Sequence, residues 1–202
     1  MNEYPKNGNQ YRKLKTFLID INLDLFLISE KMKNIDSYSD YDEIEYFVMA
    51  LEDRRYLNHG GIDVRSIARE TIKMFCRKKH GGASTIDMQM VRTITGFKDK
   101  TIFRKIYEAT LAIIVNYKYT KKQIIRCYLD NAYFGTKVTG LAQATMGVFD
   151  KRQVQLNNNE KAFIAAMLLR PKPFYYNDKW YELALSRATY AQRVRLLVKD
   201  GN

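Results

Sequence analysis

The chain has 202 residues, 46% of them hydrophobic and 28% charged, which is enough for one folded domain with its own core and excludes a disordered polypeptide. Lysine and arginine outnumber aspartate and glutamate 34 to 22, and the resulting net charge of +12 points to an anionic partner: nucleic acid, an acidic membrane surface or a phosphate-bearing substrate. The two cysteines, Cys76 and Cys127, fit neither a zinc spacing nor a disulfide framework, so buried free thiols are expected.

Met1–Asn9 reads as a frayed polar tail with no signal peptide behind it. Leu18, Ile21, Leu25, Ile28 and Met32 then recur at helical spacing and predict an amphipathic helix packed on the rest of the chain. Asp20, Asn22 and Asp24 interrupt its apolar run, which falls short of the roughly 20 apolar residues of a membrane span. The expectation is a soluble or peripheral protein. Asp42–Leu57 predicts a second helix, with Glu52 near its C-terminal end and Asn58-His59-Gly60-Gly61 breaking it. A carboxylate followed by a helix stop and a double glycine suits the mouth of a cleft, although Glu52 could equally pair with Arg55 or Tyr56 on the surface.

Asp63 is a natural N-cap for a helix to about Lys79, with Val64, Ile67, Ala68, Ile72 and Phe75 as its expected buried stripe. After the glycines at 81 and 82, Ser84-Thr85-Ile86-Asp87 reads as a capping box before a helix over Thr85–Ile94, and such an N-terminus favours an anionic group. Asp99-Lys100-Thr101 opens the next helix, with Ile102, Ile106, Ala109, Ile113 and Tyr117 as one apolar face and Leu111–Val115 apolar all round, the pattern of a central buried helix. Glu108 lies a turn before that run, with Arg104 and Lys105 as candidate partners. Thr120 caps a helix over Lys121–Asn131, with Ile124, Cys127 and Tyr128 inward. Short helices follow over Gly140–Phe149 and Glu160–Leu169, and a longer one from about Asp178 to Lys199. Phe174, Tyr175, Tyr176, Trp180 and Tyr181 suit core or lid packing. With no long strand and no repeat, the fold class is mainly α.

Five of these stretches, in order between Met49 and Tyr176, resemble the motifs of the peptidoglycan glycosyltransferases, glycosyltransferase family 51. EDRRYLNHGGID resembles the first, with Tyr56 where phenylalanine is usual. GASTIDMQMVR resembles the second, and Arg104-Lys105-Ile106-Tyr107-Glu108 fits the third. KKQIIRCYLDNAYFG with Gly140 resembles the fourth and LLRPKPFYYN the fifth. The resemblance implies a lysozyme-like, two-lobed helical fold, with residues 1–40 as tail and amphipathic helix and 41–202 as the glycosyltransferase domain.

It also implies a reaction: polymerisation of lipid II into glycan strands, with inversion at the donor anomeric carbon and release of undecaprenyl pyrophosphate. Carried over residue by residue, Glu52 is the general base and Glu108 the second carboxylate. Asp53, His59, Ser84, Thr85, Gln89, Arg92, Lys100, Arg104, Lys105 and Asn131 are the expected substrate-binding residues. A divalent cation, magnesium or manganese, is the candidate cofactor, its ligands unassigned, and no organic cofactor is expected. The expected partners are lipid II, the growing glycan strand and an anionic membrane surface, without nucleic acid; the expected location is the cell envelope, peripheral at the outer face of the cytoplasmic membrane. Oligomeric state is not legible. Asp87 stands where a small hydroxyl is usual, Met88 where a glutamine is, and Lys100 where some relatives carry arginine. A non-catalytic lipid II binder, a secreted cell-wall antagonist and a basic nucleic-acid binder are the competing readings.

Overall fold

The computed structural model describes residues 8–75, 82, 84–96 and 101–199. Among them the fold is mainly α. Helix α1 (Gly8–Met32) is followed by α2 (Glu43–Glu52), α3 (Val64–Phe75), α4 (Ile86–Thr95), α5 (Ile102–Lys118) and α6 (Lys121–Asn131). A two-stranded antiparallel hairpin, β1 (Tyr133–Gly135) and β2 (Val138–Thr139), leads into α7 (Leu141–Phe149), α8 (Asn158–Met167), α9 (Asp178–Val194) and the short α10 (Leu196–Lys199).

The helix starts follow from local chemistry. Asp42, Thr120 and Asn157 each form a capping box with the side chain three residues on, satisfying backbone N–H groups that the first turn leaves free. α4 is capped by Thr85, whose hydroxyl accepts from the Met88 amide, rather than by the expected Ser84. The second helix stops at Glu52, five residues short of its predicted end, and Tyr56–Asn58 forms a single 3-10 turn. The predicted last helix is divided at Arg195 into α9 and α10.

Two helix groups share the core. α8 packs on α2 and α9, and α4 packs on α5 and α6 with α1 laid across them. Ile44, Phe47, Val48, Met90, Val91, Leu111, Ile124, Ile125 and the Ala162–Met167 run are fully enclosed between them. At Gly61 the backbone has φ +95°, and a Cβ there would stand 2.6 Å from the Ala112 carbonyl oxygen, so only glycine lets this loop close onto α5.

Several expected core faces point outward. On α1, Ile21, Ile28 and Met32 are buried, but Leu18 is exposed. The described side chains of the α3 stripe, Val64, Ile67, Ala68 and Ile72, are all exposed. On α5, Ile102, Ile106, Ile113 and Tyr117 lie on the solvent side, and the buried side is Arg104, Tyr107, Glu108, Leu111, Ala112 and Val115. α5 therefore buries one face and leaves a second apolar face uncovered by the described residues, while on α3 the buried described side chain is Glu70 and the apolar stripe is uncovered by the described residues. Phe174, Tyr175 and Tyr176 are likewise exposed, whereas Trp180 packs edge-on against Phe163. Cys127 is a buried free thiol, its pKa pushed up by burial to about 11; Cys76 lies outside the described residues.

Candidate active site

Burial of Ile44, Phe47 and Val48 pins α2 in the core and delivers its last residue, Glu52, to the wall of a cleft of about 480 Å³. Arg54, Arg69, Lys73, Ser84 and Tyr190 line the same cleft. Gln89 of α4 donates from Nε2 to Glu52 Oε2 at 2.9 Å, and its Oε1 accepts from the Tyr128 hydroxyl at 2.8 Å. Tyr128 can donate and Gln89 Oε1 can only accept, so the phenol fixes which end of the amide meets the carboxylate. Burial pushes the Glu52 pKa up, the Gln89 bond and the Arg187 charge pull it down, and Asp53 adds a smaller upward push; the net shift is upward. A glutamate held above its ordinary range and oriented by one hydrogen bond is suited to taking a proton near neutral pH.

Arg92 lies one turn after Gln89 on α4. Its Nε and Nη2 donate to the two oxygens of Glu108, each at 2.9 Å. Arg104 Nε stands 3.2 Å from Glu108 Oε1, in the i,i+4 relation on α5. The Glu108 side chain is completely buried, while that of Arg92 is one-third exposed. The carboxylate therefore spends its oxygens on two guanidiniums, and Arg92 is the member of the group that reaches solvent. Lys105, next to Arg104, is exposed.

Sequence comparison accords with this geometry. The transglycosylase family profile matches residues 27–198. The chain belongs to the transglycosylase family. Penicillin-binding protein 1A of Clostridium tetani is 33% identical over 155 residues, 74% of this chain and 20% of the relative. Penicillin-binding protein 1A of Rickettsia typhi is 33% identical over 162 residues, 78% of this chain and again 20% of the relative. A protein of Cupriavidus necator, named as a transglycosylase, is 35% identical over 129 residues, 64% of this chain and 56% of the relative. The chain thus spans about a fifth of the length of these penicillin-binding proteins.

Beneath Glu52 the transglycosylase domain carries a buried polar network that joins the first two motifs to α5 and α6. Asp53 Oδ2 accepts from the Ile86 amide at 3.2 Å and lies 2.8 Å from His59 Nε2. Asp87 accepts from Asn116 at 2.7 Å and from Lys121 Nζ at 3.0 and 2.9 Å. Lys121 Nζ is also 3.5 Å from His59 Nδ1 and 4.3 Å from the centroid of the Tyr56 ring. Burial raises the Asp87 pKa and lowers that of Lys121, and each charge opposes the shift in the other. Their direct contact on both carboxylate oxygens makes the ion pair the state that satisfies both groups. The Tyr56 hydroxyl, absent from the usual phenylalanine, donates to the Lys121 backbone carbonyl at 2.7 Å.

A divalent cation can be tested against this network, because Asp53, His59 and Asp87 each offer a ligand atom within 4.8 Å of the others. The arrangement does not fit one. The ammonium of Lys121 already contacts both Asp87 oxygens and faces His59 Nδ1, and His59 Nε2 is hydrogen-bonded to Asp53 instead of sharing a central ion with it. Glu108 is equally committed, to Arg92 and Arg104.

Of the expected substrate-binding residues, Ser84 lines the Glu52 cleft, Gln89 touches Glu52, and Arg92 and Arg104 hold Glu108. Asp53 and Thr85 also line that cleft, with side chains bonded inward: Asp53 to the Ile86 amide and His59, and Thr85 to the Gly61 carbonyl at 2.7 Å, while His59 lies behind them. The Asn131 amide donates to the Cys127 carbonyl, at the end of α6. Lys100 lies outside the described residues. Tyr128, Lys121, Asn116, Arg187 and Tyr190 were not legible as site residues. Asp87 supplied the only signal for two of them, since an acid in a buried helix start requires a cation and a donor nearby.

Proposed function

We propose that this domain is a peptidoglycan glycosyltransferase that polymerises lipid II. The observation that carries the reading is Glu52: a cleft-lining carboxylate with a raised pKa, oriented by Gln89, at the motif position of the family's general base. Glu52 removes the proton from the acceptor sugar's 4-hydroxyl as its oxygen attacks the donor anomeric carbon. The bond from that carbon to the lipid diphosphate breaks on the opposite face, so the configuration inverts.

Negative charge builds on the departing diphosphate, and the exposed part of Arg92 supplies positive charge of the kind it requires. Glu108 holds Arg92 and Arg104 in place rather than touching the leaving group itself.

The same reading places the domain at the outer face of the cytoplasmic membrane, where a lipid-linked substrate resides. Among the described residues no helix is long and apolar enough to cross a membrane. The uncovered apolar faces of α3 and α5, with Arg65, Arg69, Lys105 and Lys118 on the same helices, support peripheral contact with an anionic bilayer.

The test is turnover of purified lipid II by the wild-type chain and by Glu52→Gln, with and without magnesium or manganese. Polymer formation that drops about 100-fold or more in the variant supports the base assignment. Lipid II binding without polymerisation by the wild-type chain would replace the enzyme with a binding protein.

A further inference from the structure

The Asp53–His59–Asp87 cluster has the composition of a metal site and the occupancy of something else. Its ligand atoms converge within 4.8 Å. Lys121 reaches into the cluster from the first turn of α6, and its side chain is 16% exposed against 0% for Asp87 and 5% for His59. An ammonium has three N–H donors and no acceptor. Here it faces both Asp87 oxygens, His59 Nδ1 and the π face of Tyr56, so its donors all have partners.

That contact favours one tautomer of His59. Lys121 can only donate, so its 3.5 Å contact matches the tautomer in which Nδ1 accepts and Nε2–H donates to Asp53. Asp53 in turn takes the Ile86 amide at the start of α4, and Asn116 completes Asp87. The N-terminus of α4 favours acids beside it, but Asp87 is completely buried and needs a compensating charge, and the cation touching it among the described residues is Lys121.

We infer that the Lys121 ammonium is a built-in cation on the Asp87 and His59 Nδ1 side of the Asp53–His59–Asp87 cluster, and that by holding both Asp87 oxygens and facing Nδ1 it excludes a divalent ion from the cluster. A divalent ion that assists catalysis would then be held outside this network. Asp87, which replaces a small hydroxyl, and Lys121 form one unit: the acid creates the site and the lysine fills it.

Cobalt(II) titration of the full chain tests this, read by visible absorption and by the shift in Tm. Wild type is expected to show no bound-cobalt band and no Tm shift. Lys121→Ala exposes the carboxylates and imidazole and is expected to bind one cobalt ion at least about 10-fold more tightly than wild type, the low end of the effect of a single supporting group at a metal site. The double variant Lys121→Ala, Asp87→Asn should lose that binding.

A wild-type chain that binds one cobalt ion, with the band abolished by Asp87→Asn, would overturn the inference, because the lysine would then be displaceable. So would a folded Lys121→Ala protein that binds no better than wild type. If Lys121→Ala folds only in the presence of cobalt or zinc, the ion is replacing the ammonium and the inference stands; failure to fold with either ion counts against it. None of these measurements needs a sugar substrate, so their outcome is separate from that of the glycosyl-transfer reading.

Discussion

Gln89 Nε2 lies 2.9 Å from Glu52 Oε2, and the Tyr128 hydroxyl on the other side of the same amide fixes which of its ends faces the carboxylate. The contact favours the ionised form of a glutamate that burial otherwise drives towards the neutral form. Gln89→Ala removes the opposing influence and leaves the burial. The acid limb of the turnover–pH profile is therefore expected to move to higher pH, with a larger loss at pH 6 than at pH 8, conditions chosen to bracket about neutral. An equal loss at both would mean that Gln89 binds substrate without influencing Glu52.

Glu52→Gln separates chemistry from stability. Its folded pKa is raised above the model-compound value of 4.5, so the folded state binds a proton more tightly than the unfolded state does. The stabilisation linked to that proton is fully present below 4.5 and is lost as pH rises through the folded pKa. Glutamine cannot ionise, so the variant escapes this loss. Its Tm should exceed that of wild type at neutral pH, and the gap should close as pH falls towards 4.5. Thermal melts of both proteins across the acid range check this; a variant less stable at neutral pH would show that the charge at Glu52 is compensated in the fold.

Glu108 should respond in the opposite direction. Its carboxylate is completely buried and ties Arg92 on α4 to Arg104 on α5. Glu108→Gln leaves two guanidiniums without a counter-charge, one of them largely buried, and a broken buried pair costs on the order of 3–5 kcal/mol. Denaturant melts should show a large drop in midpoint together with lost turnover. Turnover lost with unchanged stability would instead assign Glu108 a direct chemical role.

The motif spacings carried much of the site, and the apolar periodicities carried less of the fold. The placement of Glu52 near the end of α2 and of Glu108 inside α5 was legible because a helix stop and an acid near an apolar run are local features, while their roles rested on the family motifs. The Arg92–Glu108 bond joins residues 16 apart on different helices, and no helical spacing reports such a contact. The face Ile102, Ile106, Ile113 reads as core because period shows that a stripe is apolar, not which phase covers it; the structure buries Tyr107 with Leu111, Ala112 and Val115, and within the run apolar all round it leaves Ile113 and Ile114 exposed. Asp87 read as a misplaced charge until Lys121, from a helix more than 30 residues later, gave it a partner. Such pairings depend on how the helices pack, which local patterns do not specify.

Met88 shows how a departure from the family motif is absorbed. It stands where a glutamine is usual, yet it is 5% exposed and belongs to the hydrophobic core. Gln89 beside it makes the Glu52 contact. Met88→Gln would bury an amide among apolar side chains, with no evident partner among the described residues, and is expected to cost about 1–3 kcal/mol of stability. A fall in the urea midpoint with unchanged lipid II affinity is the expected result. A gain in affinity would place this side chain at the substrate.

The uncovered face of α5 makes the last prediction. Ile102 and Ile106 are 80% and 58% exposed on the first turns of a helix whose opposite side is core. Substituting an exposed residue with no partners typically changes stability by less than about 0.5 kcal/mol, so Ile106→Asn should leave Tm nearly unchanged. If that face enters the interfacial region of a bilayer, each such side chain contributes roughly 1.5–3 kcal/mol of burial, and its removal weakens vesicle association about 10-fold or more. Asparagine adds no charge, so the effect cannot be assigned to repulsion from anionic lipid. Sedimentation with anionic vesicles should therefore show weaker binding by Ile106→Asn at both low and high salt, because salt screens the basic surface without restoring the apolar contact. Binding that salt abolishes and Ile106→Asn leaves intact would assign membrane association to the basic surface alone.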